Sequence, residues 1–443
     1  MTANKTTPQI VKFLTVLTIF LLSIFSRSFI GIYLFGYRIG EYLVLFAFLF
    51  SLILIIKYQY FKTLISSKLY VFHILLILNF FVSLVFFQAN FSSTYIFKSS
   101  SYIWALVFIY IGFIIEKFFN IESKYFSLIM VLLPIIYILQ TGYFYELSLI
   151  YPIDVVKGYS DDNLLNFFIN HSDKFETYKG TDLLLFFVIL TFILNRSNFY
   201  SRSKYTLLYF AGISALFIPL FLKISRAAFF SVLLYVLLEG YSILKAEKVK
   251  LQKLIFIASI FFVILNLSIA NLTDKEFMDF DIVNNIYDLS EGQEIEQEAF
   301  LKIIDGRVYS SDGNFNWRLQ IWQDVIDNSI ENSTIFFGSG YQDIIPAMKI
   351  VGRGGSDGLN ENVHNFLVNI FARGGLLQLG IFSCILILIF INSKPSRHKG
   401  NFYAAVGSLL FASLFDASME NVHFPIILYL FIGFIISLNR DYT

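Results

Sequence analysis

Charge is scarce in this 443-residue chain. Asp, Glu, Lys and Arg together make up 15% of it, against about 25% in an ordinary soluble domain. With 57% hydrophobic residues and 53 phenylalanines, the apolar surface far exceeds what one water-soluble core can hide, and a soluble globular enzyme is excluded. The charges that exist nearly cancel, to a net of +1 at pH 7. That removes the basic excess that nucleic-acid binding needs, so no nucleic acid is expected among the partners. The single cysteine, Cys384, cannot form an intrachain disulfide, and its place in the apolar run FSCILILIF disfavours thiolate chemistry. Five histidines lie scattered, with no His-x-x-x-His pair and no cysteine partner, so no metal-ligand set is expected. The first apolar run, about 10–26, lacks a small-residue cleavage site after it and reads as a membrane helix rather than a removable leader.

What is abundant is apolar runs close to spanning length, about 20 residues. They fall at 10–26, 39–56, 69–88, 101–115, 125–142, 181–195, 205–222, 227–244, 254–272, 374–392, 401–417 and 423–439. The stretch 205–244 would run about 60 Å as one helix, twice the hydrocarbon thickness, so it must fold back at Lys223-Ile224-Ser225-Arg226. The short connections alternate in charge. One set is basic, with Lys57, Lys62 and Lys68, then Arg196, Arg202 and Lys204, then Lys245, Lys248, Lys250 and Lys253. The other set contains two long segments, about 143–180 and 273–363, the second dominated by acidic residues such as Glu291, Glu294, Glu296 and Glu298. The expected fold is all-α: one integral membrane domain over 1–443, a polytopic bundle of about twelve spans. Both termini lie inside, and a large, partly helical external loop, 273–363, joins spans nine and ten.

Within that loop, 316–330 places Ile321, Trp322, Val325 and Ile326 at helical spacing with polar residues between. This is the pattern of an amphipathic helix on a membrane face. Gly352–Gly358 (GRGGSDG) is a glycine loop without the preceding strand and following Lys-Ser/Thr of a phosphate-binding loop. Gly338-Ser339-Gly340-Tyr341 reads as a tight turn whose glycines serve backbone geometry.

Ionisable residues held at a bilayer edge are functional candidates, and three places qualify. Ser225 can cap a helix with Arg226 in its first turn, where unpaired N–H groups and the positive dipole end favour an anion. A snorkelling arginine is the plain alternative. Arg318 stands four residues before Trp322 on the amphipathic helix, and a solvated surface arginine is the alternative there. The third is His364-Asn365, where the loop re-enters the bilayer. At helical spacing Asn365, Asn369 and Arg373 form a polar stripe ahead of 374–392, a run already long enough to span. The expected place of 364–373 is therefore a polar-faced turn at the outer rim of a cavity.

These spaced places together resemble the bacterial O-antigen ligase and polymerase family, over about residues 205–392. Ser225-Arg226 is similar to the family's Ser-Arg at the start of a span just ahead of the large loop. Trp317-Arg318-x-x-x-Trp322 followed by Phe337-Gly338-Ser339-Gly340-Tyr341 resembles its Arg-x-x-x-Trp helix and Gly-x-Gly turn. His364-Asn365 with Gly375 resembles its signature at the loop's end. One position departs: Gln378 stands where the signature has a second small or hydroxylic residue, so that helix is expected to pack differently.

The resemblance implies a metal-independent glycosyltransferase, without cofactor, that uses an undecaprenyl-diphosphate-linked glycan as donor. It implies Arg226 and Arg318 for the diphosphate and His364 as the base that deprotonates an acceptor hydroxyl. It further implies Asn365, Asn369 and Arg373 for substrate positioning, with Gly338, Gly340 and Gly375 as structural turns. The acceptor is lipid A–core for a ligase, or a second carrier-linked glycan for a polymerase, with the ligase reading favoured. Membrane lipids are the remaining partners. A secondary transporter is the competing class. The absence of a visible internal repeat weighs against it, as does the clustering of polar residues on one outer face, with Glu239 and Asp416 the main exceptions.

Overall fold

The computed structural model describes residues 27–58, 67–87, 95–119, 180–196, 225–247, 300–353, 361–392, 399–420 and 422–440, with a few isolated positions between them. The expected spans 125–142 and 254–272 lie outside the described residues, as do most of 10–26 and 205–222 and the acidic run 291–298.

The described chain is mostly helical. Near the start, strands β1 (Tyr33–Leu34) and β2 (Tyr37–Arg38) form a small hairpin. Helices α1 (Ile39–Tyr58), α2 (Ser67–Phe86), α3 (Tyr95–Ser99), α4 (Ser101–Ala105), α5 (Val107–Phe119), α6 (Gly180–Arg196) and α7 (Arg226–Glu247) follow. A second hairpin, β3 (Leu301–Ile304) with β4 (Arg307–Ser310), pairs Leu301 with Ser310 and Ile304 with Arg307. It leads into α8 (Gly313–Glu331), and the chain closes with α9 (Phe366–Asn392), α10 (Lys399–Ser413) and α11 (His423–Arg440).

The helical expectation holds for most of the described chain, and two short antiparallel hairpins are added to it. Each turns on a two-residue loop with positive φ at both positions, Phe35-Gly36 and Asp305-Gly306, the geometry whose twist suits a tight hairpin. The run expected as one helix over 101–115 is two, α4 and α5, parted at Leu106.

One apolar core joins the helices, with α5 on α11, α7 on α10 and α9 on α2 as the main pairings. Glycines set the tightest crossing. A Cβ on Gly112 of α5 would lie 2.1 Å from the Leu430 carbonyl oxygen, and one on Gly433 of α11 would lie 1.9 Å from that of Ile109. Backbone meets backbone there, the close approach that small residues permit between apolar helices. Outward, α2 presents Val71, Ile74, Leu75, Leu78, Val82 and Val85, an apolar face at helical spacing that water would not favour. Among the described residues, Lys68–Phe86 and Phe366–Asn392 are long and apolar enough to cross a membrane.

The loop has a small core of its own. Ile321 and Val325 of α8 meet Ile345, Ala347, Met348, Val363 and Ala372, with Trp317 and Trp322 packed against them. Asp324 of α8 lies beside this core and accepts from Arg307 at 2.5 Å. It also pairs with Arg353, so the glycine loop is tied down where it begins.

Candidate functional site

The charged residues gather at helix starts. Ser225 caps α7, its Oγ accepting from the Ala228 N–H at 3.4 Å, and Arg226 is the helix's first residue. Asp312 caps α8: its Oδ1 accepts from the Phe315 N–H at 2.7 Å. Its other oxygen, Oδ2, takes the Arg226 guanidinium. One carboxylate thus joins the starts of two helices whose positive ends both favour it.

Arg318, between one and two turns into α8, faces the same group. Burial holds its pKa down, the charges of Asp416 and Asp312 pull it back up, and Arg226 presses it down again. It stays charged at neutral pH. Among the described residues, its buried Nε has no hydrogen-bond partner.

Asp416 carries the cluster inward. It accepts from Thr181 Oγ1 at 2.6 Å, in the first turn of α6. The next residue, Asp182, is buried between Arg27 at 2.9 Å and His423 Nδ1 at 3.3 Å, and His423 opens α11. Helix starts of α6, α7, α8 and α11 are linked in this way on one side of the bundle.

His364 joins them through α8. Its ring meets that of Trp317, the residue before Arg318, edge to face at 5.3 Å. Trp322 Nε1 donates to the Val363 carbonyl at 2.8 Å, which holds the segment against the helix. His364 has φ +54, a left-handed backbone uncommon for a residue with a Cβ. Asn365 then caps α9, its Oδ1 accepting from the N–H groups of Leu367 at 3.0 Å and Val368 at 3.2 Å.

The structure corrects the expectation that 364–373 is a turn ahead of a helix beginning at 374. Residues from Phe366 onward are helical, and the interruption comes later, at Gly375, with φ +68 and ψ −168. A broken helix strands carbonyls before the break and N–H groups after it, and the glycine turn satisfies both. Ser339 N–H donates to the Ala372 carbonyl at 2.7 Å and Gly340 N–H to that of Arg373 at 3.0 Å. In the other direction, Leu376 N–H donates to Ile335 at 2.8 Å and Leu377 N–H to Phe336 at 3.3 Å. Contact is close enough that a Cβ on Gly338 would lie 2.4 Å from the Arg373 carbonyl.

Arg373 is spent on the same brace. Buried, it donates to the carbonyls of Gly340 at 3.2 Å and Asp343, and to Tyr95 Oη at 3.0 Å. Gln378, the departure from the family signature, fills a buried polar knot. Tyr341 donates to its Oε1 at 2.5 Å, its Nε2 donates to Tyr102 at 2.8 Å, and the two tyrosine hydroxyls meet at 3.0 Å. Burial raises the Tyr341 pKa, so the phenol keeps the proton that it donates.

Arg226, Arg318 and His364 are thus brought to one region, and Gly338, Gly340 and Gly375 to the brace beneath it. Asn369 points elsewhere, into a small cavity shared with Tyr102, Phe366, Phe382, Met419 and Glu420. The sequence reading missed Asp312 as the partner of Arg226, although Asp-Gly ahead of an amphipathic run is a helix-start signal. It noted Asp416 only as an exception to the clustering of polar residues on one face, whereas Thr181 donates to it here. Among the described residues, no group of three His, Cys, Asp or Glu is placed to hold a metal.

Arginines, carboxylates and a histidine thus gather at the helix starts of an apolar bundle. The family model described as O-antigen ligase matches residues 184–383, so that stretch of the chain is similar to O-antigen ligases. It contains Arg226, Arg318, His364 and Gly375; Arg27, Asp416 and His423 lie beyond it. No curated protein matches the chain in sequence. That similarity supports a membrane enzyme of the glycosyl-transfer type in general terms.

Proposed function

We propose that this protein moves a glycan from undecaprenyl diphosphate to a hydroxyl of lipid A–core, on the periplasmic face of a bacterial inner membrane. The observation that carries the reading is the pairing of Arg226 with Asp312 at the start of the helix that also bears Arg318 and Trp317, the ring that His364 meets. A lipid diphosphate arriving from the bilayer needs cationic groups at the rim, and two arginines offer forked, charge-assisted hydrogen bonds. His364 takes the proton of the acceptor hydroxyl as its oxygen attacks the anomeric carbon. The bond from that carbon to the diphosphate oxygen breaks, and the diphosphate leaves with the electron pair, its charge met by the arginines. With the leaving group neutralised in this way, the step needs no metal.

In this reading Asn365 and Arg373 position substrate indirectly, by capping α9 and by holding the glycine turn. Asn369 is buried beside a void too small for substrate, so it too acts on substrate only through its neighbours. The apolar outward face of α2 supports a lipid surrounding, and the basic and acidic loops support twelve spans with 273–363 outside. Incubation with purified carrier-linked glycan, with and without lipid A–core, tests the activity. Transfer that requires lipid A–core supports a ligase. A ladder formed without it makes the protein a polymerase, and no transfer to either acceptor overturns the proposal.

A further inference from the structure

Asp312 splits its two oxygens between two tasks. Oδ1 caps α8 through the Phe315 N–H, while Oδ2 faces the Arg226 guanidinium. The Arg226 side chain is 45% exposed and that of Asp312 19%, so an incoming anion can reach the arginine but meets the carboxylate there. Arg318 faces Asp312 and Asp416 as well as Arg226. Among the described residues, these two guanidinium groups and two carboxylates balance in charge, and a balanced cluster is a poor receptor for a diphosphate.

Building on the reading above, we propose that Asp312 is a surrogate anion. It holds Arg226 and offsets the repulsion between the two arginines while the site is empty, and it yields Arg226 to the diphosphate when donor binds. The split of its oxygens makes this exchange possible without unwinding α8, because Oδ1 stays on the cap while Oδ2 lets go. The same carboxylate acts again after transfer. Cleavage leaves the carrier diphosphate with one more ionisable oxygen than the donor had, so the product grips the arginines more tightly. Return of Asp312 to Arg226 competes with that grip and speeds release. Asp312 therefore sets the affinity for diphosphates without touching the sugar.

The test uses full-length protein in nanodiscs, inorganic pyrophosphate as the probe, and two variants. Asp312→Asn keeps an oxygen that can cap α8 but removes the charge. Inhibition of transfer by pyrophosphate should strengthen about two- to fivefold, and the donor KM should fall by a similar factor, as an ion pair of this exposure predicts. A merely structural role would move both constants the other way or not at all. Asp312→Glu keeps the charge and should bind pyrophosphate within about twofold of wild type. If Asp312→Asn fails to fold, Asp312→Ser, another strong cap, takes its place. Unchanged or weaker pyrophosphate inhibition in the uncharged variant overturns the inference. Arg226→Ala, assayed alongside, separates the two readings. Full turnover in that variant removes the arginine from donor binding altogether, whereas lost turnover with an unresponsive Asp312→Asn removes the surrogate anion alone.

Discussion

Replacing Gly375 by alanine tests whether the broken helix holds the site together. The residue has φ +68 and ψ −168, a region that glycine enters freely and that costs other residues of order 1–3 kcal/mol. A Cβ there would lie 2.2 Å from the Phe336 carbonyl carbon, and backbone cannot step aside as a side chain can. Relief requires the 336–340 turn to lift, which gives up the bonds from Leu376 to Ile335 and from Leu377 to Phe336, each worth about 0.5–1.5 kcal/mol. Adding these terms gives a loss of about 2–6 kcal/mol. Gly380 on the same helix is the control, because a Cβ there meets nothing within 4 Å. Gly380→Ala should be neutral or slightly stabilising, since alanine is the better helix former. Thermal unfolding of the solubilised protein, read with transfer activity after mild heating, should separate the two: Gly375→Ala melts several degrees earlier and Gly380→Ala does not. A Gly375→Ala protein as stable and active as wild type would refute the brace as described.

Arg226→Ala and Arg318→Ala should each lower turnover roughly 10²–10³-fold if they meet leaving-group charge, with lysine rescuing only in part because it lacks the planar fork; full activity in either variant returns that arginine to a surface role. Asp324→Asn should loosen the loop by about 1–3 kcal/mol, since Arg307 and Arg353 both lose a charged partner. Faster limited proteolysis near Arg353 would show it. A cysteine placed at Ser290 should label from outside the membrane and one at Ser203 should not, and external labelling at Ser203 would reverse the orientation that the basic loops imply.

Much of the helical frame was legible because membrane helices declare themselves by apolar length. The runs 181–195, 227–244 and 423–439 became helices at Gly180–Arg196, Arg226–Glu247 and His423–Arg440. The amphipathic stretch 316–330 became Gly313–Glu331, begun by its Asp312 cap. The second hairpin went unread although its signal was local: LKII, then Asp-Gly, then RVYS. A search for spanning runs passes over four-residue strands.

The break at Gly375 was not local. Local spacing does not separate it from Gly374 or Gly380, although the family resemblance marked it as a structural turn; its left-handed φ exists because the 336–340 turn docks there. The pairing of Arg226 with Asp312, 86 positions apart, was equally beyond reach, as was the diversion of Arg373 from substrate to loop carbonyls. A polar stripe at helical spacing fixes which side chains share a face, not what waits opposite them.

His364 is where backbone strain and chemistry can be separated. At φ +54 a residue with a Cβ gives up about 1–2 kcal/mol that glycine does not, and the edge contact with Trp317 returns about 0.5–1.5 kcal/mol. His364→Gly removes both and should be nearly neutral in stability. If the ring is the general base, that same variant should lose about 10²–10⁴ in transfer while pyrophosphate, which rests on the arginines, still binds. A histidine base fails as pH falls and the ring takes up a proton, so the acidic limb of the pH–rate profile should vanish with the side chain. His364→Gln tells a base from a mere hydrogen-bond donor, because an amide donates but takes up no proton near neutrality. A stable, active His364→Gly protein with an unchanged pH profile would remove the ring from the mechanism. The base would then be sought at Asp416, which shares the cluster with Arg318. Glu361 is the weaker candidate, since its carboxylate is held by Lys98 at 2.9 Å.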